Sequence, residues 1–246
     1  GFIIRTTLII ELLGAAVMAP VFCRDFGLWR GLWMALFHSV SAFCNAGIDL
    51  MGVREPFSSL TSYAADPVIN VAIMLLIVVG GIGFLTWDDI RTNRLHVRRY
   101  RMQSKVILAT TALLILLPAA YFFFLEFSDL PAGERVLASF FQSVTPRTAG
   151  FNTVDLAAMS EPGQALTIVL MLIGGSPGST AGGIKVSRIV LLFKGLKRDL
   201  RRILHTREVR PITLDGQRVE EDTISSVSLF FFAYMIILFF SALIVS

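Results

Sequence analysis

The amino-acid sequence predicts an all-α membrane protein built from repeated units, on the strength of three observations. Hydrophobic residues make up 54% of the 246 residues and charged residues only 16%, where soluble domains carry about a quarter. Several stretches of about 20 residues contain no charge. Short motifs also recur at a separation of 103 or 104 residues. The composition excludes a disordered chain and argues against an ordinary soluble domain.

Four apolar stretches are long enough, or nearly so, to cross a bilayer. A helical span needs about 20 apolar residues, because each residue rises about 1.5 Å through about 30 Å of hydrocarbon. Residues 6–23 are slightly short and include Glu11, whose charge must face protein or water at that depth. The other three stretches carry no charge and cover residues 67–87, 106–125 and 223–246.

Two further apolar stretches are too short to cross. Residues 33–43 and 136–144 are about ten residues long and would reach roughly 15 Å as helices. We therefore expect them to be re-entrant helices. A short glycine-containing segment follows each of them, and such backbone persists at membrane depth only where protein buries it or water reaches it.

The distribution of Lys and Arg predicts the orientation of these elements. Six Lys and Arg lie between Arg91 and Lys105, and ten lie between Lys185 and Arg218. Both segments should be cytoplasmic. Residues 21–66 and 128–165 contain only three and two and should face outside, so the re-entrant helices should enter from the external side. The net charge of +4 gives no reason to expect a nucleic-acid partner, and two cysteines define neither a disulfide framework nor a zinc site.

An internal repeat organises the chain. Residues 37–41 (FHSVS) align with residues 141–145 (FQSVT) at an offset of 104, and Ala46-Gly47 aligns with Ala149-Gly150 at 103. Each match lies between two spans. The predicted units are residues 1–104, residues 105–218 and a third that opens at 219–246. Because the sequence begins and ends within apolar runs, we expect it to be part of a longer chain.

The segments after the two re-entrant helices are candidate cation sites. Backbone carbonyls that turn inward can replace the hydration shell of a cation, and glycine permits the positive φ that such a turn requires. The alternative is that Gly47 and Gly150 only allow helices to pack closely. The candidate residues are Cys44, Asn45, Ala46, Gly47 and Ile48 in the first segment, and Thr148, Ala149, Gly150 and Phe151 in the second.

A second glycine-rich segment interrupts the apolar stretch that starts at Ala165. Five Gly and one Pro within twelve residues disfavour a helix, since each Gly costs about 1 kcal/mol and Pro about 3 relative to Ala. A span broken at mid-membrane typically marks an ion or substrate path. We interpret the segment as a gate; a packing kink or an external loop is the alternative. Its residues are Gly174, Gly175, Ser176, Pro177, Gly178, Ser179, Thr180, Ala181, Gly182, Gly183, Ile184 and Lys185.

Other polar residues have competing interpretations. Residues 174–178 match G-x-S-x-G, so a serine hydrolase that uses Ser176 with His38 is an alternative, although no strand precedes the motif. We expect Arg147 to point away from a bound cation or to pair with an acid such as Asp155. The side chains of Lys185 and Arg188 are expected to extend to the cytoplasmic surface.

Three ordered motifs resemble those of the Trk/Ktr/HKT superfamily of potassium transporters, most closely the bacterial Ktr/Trk-type membrane subunit. They are FHSVSAFCNAG at 37–47, QSVTPRTAGFNT at 142–153 and GGSPGSTAGGIK at 174–185. The resemblance implies four repeats around one pore, of which this chain would hold the second, the third and the start of the fourth. Gly47 and Gly150 would be filter glycines, and residues 174–183 the gate loop.

The resemblance also implies ligands and partners. K⁺ would be the transported ion, with no covalent cofactor and with Na⁺ as a candidate activator. Expected partners are membrane lipid, a second copy in a homodimer, and a cytosolic ring of nucleotide-binding regulatory subunits docking on the basic segments at 91–105 and 185–218. The implied location is the bacterial cytoplasmic membrane. A secondary transporter of another cation or small solute, binding at the broken helix, is the alternative. The K⁺ ligands would come from Asn45, Ala46, Gly47, Thr148, Ala149 and Gly150.

Overall fold

The computed structural model describes residues 1–94, 96–204, 212–214 and 217–245. Within these residues the chain is almost entirely helical, as predicted. The helices are α1 (Phe2–Phe26), α2 (Leu28–Phe43), α3 (Pro67–Gly81), α4 (Phe84–Asn93), α5 (Met102–Tyr121), α6 (Ala132–Val144), α7 (Glu161–Leu172), α8 (Val186–Leu204) and α9 (Glu221–Val245). The strands are β1 (Thr213–Leu214) and β2 (Gln217–Arg218), which pair antiparallel.

Small residues let α2 pack closely along α1. The backbone of Cys23 lies so near Gly31 that a Cβ there would come within 2.4 Å of the Cys23 Cα. A Cβ on Gly14 would likewise come within 2.5 Å of the Ser39 hydroxyl oxygen. Side chains of both helices, with those of α3, then fill one apolar core around the fully buried Phe22. α2 is thus fixed against α1.

The predicted span at 67–87 is wrong as a single helix. α3 ends at Gly81, α4 begins at Phe84, and the two axes are bent by 96°. The intervening Gly83 has a φ of 86°, a conformation that L side chains rarely adopt. Glycines at 80, 81 and 83 also weaken the helix there, since each costs about 1 kcal/mol relative to Ala.

Both helices that were predicted to be re-entrant are longer than expected. α2 has 16 residues and α6 has 13, because each continues toward its N-terminus through residues that the apolar criterion left out. These are the segments 28–32, which includes Arg30, and 132–135, which includes Glu134. Both helices still end where the glycine-containing segments begin.

Three helices within the described residues are long and apolar enough to cross a membrane: Phe2–Phe26, Met102–Glu126 and Glu221–Ile244. The second consists of α5 and a continuing π-helical turn at Phe122–Glu126. The bent pair α3 and α4 would make a fourth crossing if it is counted as one span. The predicted spans at 6–23 and 106–125 lie inside these helices; that at 223–246 lies within α9 except for its last residue, which is outside the described part.

Candidate functional site

The segment at residues 44–48, here called the first glycine loop, turns sharply after α2. Positive φ values occur at alternate residues, 52° at Asn45 and 65° at Gly47, whereas Ala46 between them keeps a negative φ. The Ser41 hydroxyl holds the residue that follows Gly47, because it donates to the Ile48 carbonyl at 2.6 Å and accepts from the Ile48 amide at 3.0 Å. These hydrogen bonds from the C-terminal end of α2 therefore fix the turn of the loop.

The segment at residues 148–151, the second glycine loop, repeats this construction after α6. Its positive φ values are 74° at Thr148 and 95° at Gly150, again at alternate residues. The hydroxyl of Thr145 donates to the carbonyl oxygen of Phe151 at 2.6 Å. Thr145 corresponds to Ser41 at the offset of 104, and the two hydroxyls make the same type of bond to the residue that follows each glycine.

A second pair of hydrogen bonds matches at the offset of 104. On α2, the hydroxyl of Ser39 donates to the carbonyl of Glu11 on α1 at 2.6 Å. On α6, the hydroxyl of Ser143 donates to the carbonyl of Ile115 on α5 at 2.9 Å. Both partners in the second bond lie 104 residues after their counterparts. α2 and α6 are thus fixed to the helices that precede them at equivalent points.

The two glycine loops meet at their glycines. A Cβ built on Gly47 would come 2.1 Å from the carbonyl oxygen of Ala149 and 2.9 Å from the Cα of Gly150. A Cβ on Gly150 would lie 3.6 Å from the Cα of Gly47. Two peptide segments that are 103 residues apart in sequence therefore lie in backbone contact. A residue without a side chain is needed for that approach at Gly47, whereas a Cβ on Gly150 would make only ordinary van der Waals contact.

The segment at residues 174–185, here called the broken-helix loop, separates α7 from α8 and is closed at its base. Ile173 and Ile184 form a parallel bridge, in which Gly174 N donates to the Ile184 carbonyl at 3.0 Å and Ile184 N donates to the Leu172 carbonyl at 3.1 Å. The predicted interruption of the helix is therefore present. Its start is tightly packed, since a Cβ on Gly174 would come 1.8 Å from the Gly182 carbonyl oxygen.

The broken-helix loop lies against the break between α3 and α4. Ser176 N donates to the carbonyl of Gly81 at 2.9 Å, and Phe84 N donates to the carbonyl of Gly178 at 3.0 Å. A Cβ on Gly83 would come 2.9 Å from the Pro177 carbonyl oxygen. Two interrupted helices, one from each half of the chain, therefore meet through their exposed backbone groups.

The segment between the first glycine loop and α3 contacts the residue that follows the second glycine loop. Leu60 N donates to the carbonyl of Asn152 at 2.9 Å, and Asn152 N donates to the Ser59 hydroxyl at 3.1 Å. Nearby, the Tyr63 hydroxyl donates to Asp25 at 2.8 Å. Burial and this carboxylate raise the pKa of Tyr63, so its phenol stays protonated and keeps donating at neutral pH.

Comparison with known proteins identifies the family. The whole chain from residue 2 to residue 246 matches the TrkH family, described as cation transport protein. The chain belongs to this family. Among its relatives, the potassium/sodium uptake protein NtpJ of Enterococcus hirae is 39% identical over 78% of this chain and 42% of its own length. The Ktr system potassium uptake protein B of Bacillus subtilis is 34% identical over 92% of this chain and 52% of its own length.

A solved structure supports the fold of this TrkH-family chain. The crystal structure of the potassium transporter TrkH from Vibrio parahaemolyticus matches with a TM-score of 0.74 at 23% identity, over 94% of this chain and 48% of that one. The chain thus spans about half the length of the relatives it matches. Together with the apolar helices, the family places it in the bacterial cytoplasmic membrane. The predicted all-α membrane fold and the family resemblance are confirmed.

Arg147, which precedes the second glycine loop, is buried. Its residue surface is only 8% exposed, and its Nε has no hydrogen-bond partner among the described residues. The carboxylate of Asp155 instead accepts from the Ala157 amide in its own turn at 2.9 Å. Of the two expectations for Arg147, an ion pair with Asp155 is not seen among the described residues, and the direction of its side chain relative to a bound cation stays a prediction.

Lys185 bonds within its own loop, and the extension of its side chain to the cytoplasmic surface stays a prediction. Its Nζ donates to the carbonyl of Ala181 at 2.5 Å, within the broken-helix loop. Arg188 lies over the ring of Phe230 on α9, with 4.1 Å between its Cζ and the ring centroid. The Ala181 carbonyl and the Phe230 ring therefore each contact one of these two cationic side chains.

The geometry gives no support to a hydrolase site. The two ring nitrogens of His38 are both engaged, since Nδ1 is 2.7 Å from the carbonyl of Met34 and Nε2 accepts from the Leu50 amide at 3.2 Å. The hydroxyl of Ser176 is buried and has no hydrogen-bond partner within the described part of the chain. No strand precedes Ser176 as a nucleophile elbow requires, because α7 ends just before it. His38 instead holds the backbone that follows the first glycine loop.

The sequence motifs pointed to both glycine loops and to the broken-helix loop, but the fixing residues needed the structure. The roles of Ser41 and Thr145 were signalled only by their alignment in the repeated motif. Nothing in the sequence indicated that Ser59 and Leu60 contact Asn152, because that contact joins segments 92 or 93 residues apart.

Proposed function

We propose that this chain forms part of a potassium uptake pathway, in which the two glycine loops bind the ion through their backbone carbonyls. The observation that carries the proposal is the contact between Gly47 and Gly150, at equivalent points of two similar loops. Positive φ at alternate residues gives both loops the same type of backbone turn, and backbone carbonyls in such loops can replace the hydration shell of a cation. The proposed ligands come from Asn45, Ala46, Gly47, Thr148, Ala149 and Gly150, flanked by Cys44, Ile48 and Phe151.

The proposed organisation is two complete repeats and the start of another, at residues 1–104, 105–218 and 219–246. It is supported by the matched bonds of Ser39 with Glu11 and of Ser143 with Ile115, at a constant offset of 104. In this arrangement each repeat contributes one glycine loop to the pathway. The remaining loops of a four-repeat ring would come from chain beyond these residues.

We assign the broken-helix loop, from Gly174 to Lys185, as the gate of this pathway. Its buried start and its hydrogen bonds to Asn45 and Thr148, one residue in each glycine loop, support a location next to the ion site. The Lys and Arg residues of α8, which follows the loop, support the cytoplasmic side. Unwound backbone at this depth needs protein or water around it, and a pathway supplies water. Rearrangement of the loop would then open or close the route below the glycine loops.

The family favours a cation over an organic solute as the transported species. One relative is named for potassium and sodium uptake and another for potassium uptake, so both ions belong in the proposal. We propose K⁺ as the main substrate and Na⁺ as a second ion or activator. No covalent cofactor takes part in this mechanism.

The proposed partners are lipid, a second copy of the protein and a cytosolic ring of nucleotide-binding regulatory subunits. The basic segments at 91–105 and 185–218 would dock that ring. Support comes from their cationic charge and from α8, whose Lys194 Nζ donates to the Thr213 carbonyl of β1 at 2.6 Å and so joins the helix to the hairpin. Residues 205–211 and 215–216 of the second segment lie outside the described residues.

The test is tracer uptake by the complete reading frame in bacteria that lack their own K⁺ uptake systems. We expect Rb⁺ uptake that excess K⁺ competes away and that Na⁺ competes with less effectively. Uptake of Na⁺ alone would overturn the assignment of K⁺ as the main substrate. Absence of both, with the protein inserted in the membrane together with its regulatory subunit, would overturn the transport proposal.

A further inference from the structure

The hydroxyl of Thr180 connects the broken-helix loop to the first glycine loop. It donates to the carbonyl oxygen of Phe43, the last residue of α2, at 2.8 Å. It also accepts from the side-chain amide of Asn45 at 3.0 Å. A single hydroxyl therefore uses both its donor and its acceptor capacity on the two residues that flank the start of the loop.

The surrounding backbone is shaped to allow these bonds. A Cβ on Gly80 of α3 would come 2.0 Å from the Phe43 carbonyl oxygen and 2.8 Å from the Thr180 hydroxyl oxygen. The Gly80 carbonyl also accepts from the Thr180 amide at 3.3 Å. The adjacent Gly81 faces open space, since a Cβ there would meet nothing within 4 Å. Only the first of two consecutive glycines is thus needed for the junction.

The second glycine loop is held from the same segment. Gly182 N donates to the hydroxyl of Thr148 at 3.0 Å. Thr148 and Asn45 occupy equivalent positions at the offset of 103, and both have a positive φ. Two residues of the broken-helix loop, 180 and 182, therefore hold the equivalent residue of each glycine loop.

We infer that Thr180 is a positioning residue through which the broken-helix loop sets the cation selectivity of the first glycine loop. The inference rests on the proposed function of both segments. When the broken-helix loop moves, the Phe43 carbonyl and the Asn45 amide lose the Thr180 hydroxyl, and the amide keeps its longer bonds to the Phe43 and Ile77 carbonyls at 3.4 Å. The turn that presents the Asn45 and Gly47 backbone then relaxes. A movement of the gate then changes the geometry of the filter at the same time.

The test compares Thr180→Val with Thr180→Ser and Ser179→Ala in the complete transporter. Val keeps the shape of Thr but has no hydroxyl, Ser keeps the hydroxyl, and the Ser179 hydroxyl bonds only to the Ser176 carbonyl of its own loop at 2.6 Å. We expect Thr180→Val to lower the ratio of Rb⁺ to Na⁺ uptake about tenfold. Thr180→Ser and Ser179→Ala should keep the wild-type ratio, whatever their effect on total flux.

A second pair of variants covers the case in which Thr180→Val fails to insert. Gly80→Ala places a methyl group against the Phe43 carbonyl and should lower the same ratio, whereas Gly81→Ala should not. A wild-type ratio in Thr180→Val, or in Gly80→Ala, at normal membrane abundance would overturn the inference. An equal shift in Ser179→Ala would also overturn it, because the effect would belong to the loop as a whole. Wild-type protein that takes up neither ion would instead overturn the proposed function and the inference with it.

Discussion

Gly47 lies directly against the backbone of Ala149, so that a Cβ on Gly47 would come 2.1 Å from the Ala149 carbonyl oxygen. Real Cβ atoms do not approach an oxygen so closely. The first glycine loop thus constrains the position of a carbonyl in the second, across 102 residues of sequence. A substitution in one loop is therefore expected to change the ion ligands offered by the other.

Gly47→Ser should weaken the preference for Rb⁺ over Na⁺ by about tenfold, since moving the Ala149 carbonyl and straining the loop cost about 1–3 kcal/mol. The readout is the ratio of initial tracer uptake rates at equal membrane abundance. Gly52→Ser is the matched control, because a Cβ at Gly52 meets nothing within 4 Å. Equal ratios for wild type, Gly47→Ser and Gly52→Ser would contradict a role of this loop in ion selectivity.

Ser39→Ala and Ser143→Ala should destabilise the protein by similar amounts, about 1 kcal/mol each, because each removes one hydrogen bond from a re-entrant helix to a span. The measurement is thermal unfolding in detergent, followed by tryptophan fluorescence. Ser58→Ala serves as the control, since its hydroxyl bond to Glu55 is exposed. A loss in one variant without a loss in the other would contradict the equivalence of the two units.

Deleting residues 177–179 from the broken-helix loop should raise the maximal Rb⁺ uptake rate. The deletion removes the Gly178 carbonyl that holds the Phe84 amide and leaves the bridge between Ile173 and Ile184 in place. Membrane abundance is measured by immunoblot in parallel. Flux equal to or below that of wild type, with normal insertion, would rule out a barrier in this loop.

A fluorophosphonate probe should not label Ser176. Its hydroxyl is fully buried, and the ring nitrogens of His38 are occupied by Met34 and Leu50. Mass spectrometry of the intact protein after exposure to the probe measures the mass of any adduct, with a known serine hydrolase as the positive control. A covalent adduct on Ser176 that Ser176→Ala abolishes would restore the hydrolase interpretation.

Much of the fold was accessible from the sequence because hydrophobic length and charge distribution govern membrane helices. The break after Gly81 was missed, since an uninterrupted apolar run gives no sign of a bend except its glycines. The broken-helix loop was found because Pro and five Gly are a strong local signal against a helix.

The contacts between segments were less predictable. The repeated motif indicated that residues 44–48 and 148–151 have similar turns, and the family resemblance implied that both line one pore. The bonds from Thr180 to Phe43 and from Gly182 to Thr148 join dissimilar sequences 137 and 34 residues apart, and no periodicity links them. The local use of Asp155 was equally invisible, because an acid in a turn has the same sequence signal as an acid in an ion pair.

The most direct test of the central claim is Rb⁺ and Na⁺ tracer uptake by the complete reading frame with and without Gly150→Ser, in bacteria lacking their own K⁺ uptake systems. Gly150 has a φ of 95°, so a side chain there strains the loop whatever space surrounds it. An ion path through the glycine loops predicts that wild type prefers Rb⁺ and that Gly150→Ser loses this preference at normal abundance. An unchanged ratio in Gly150→Ser would contradict it.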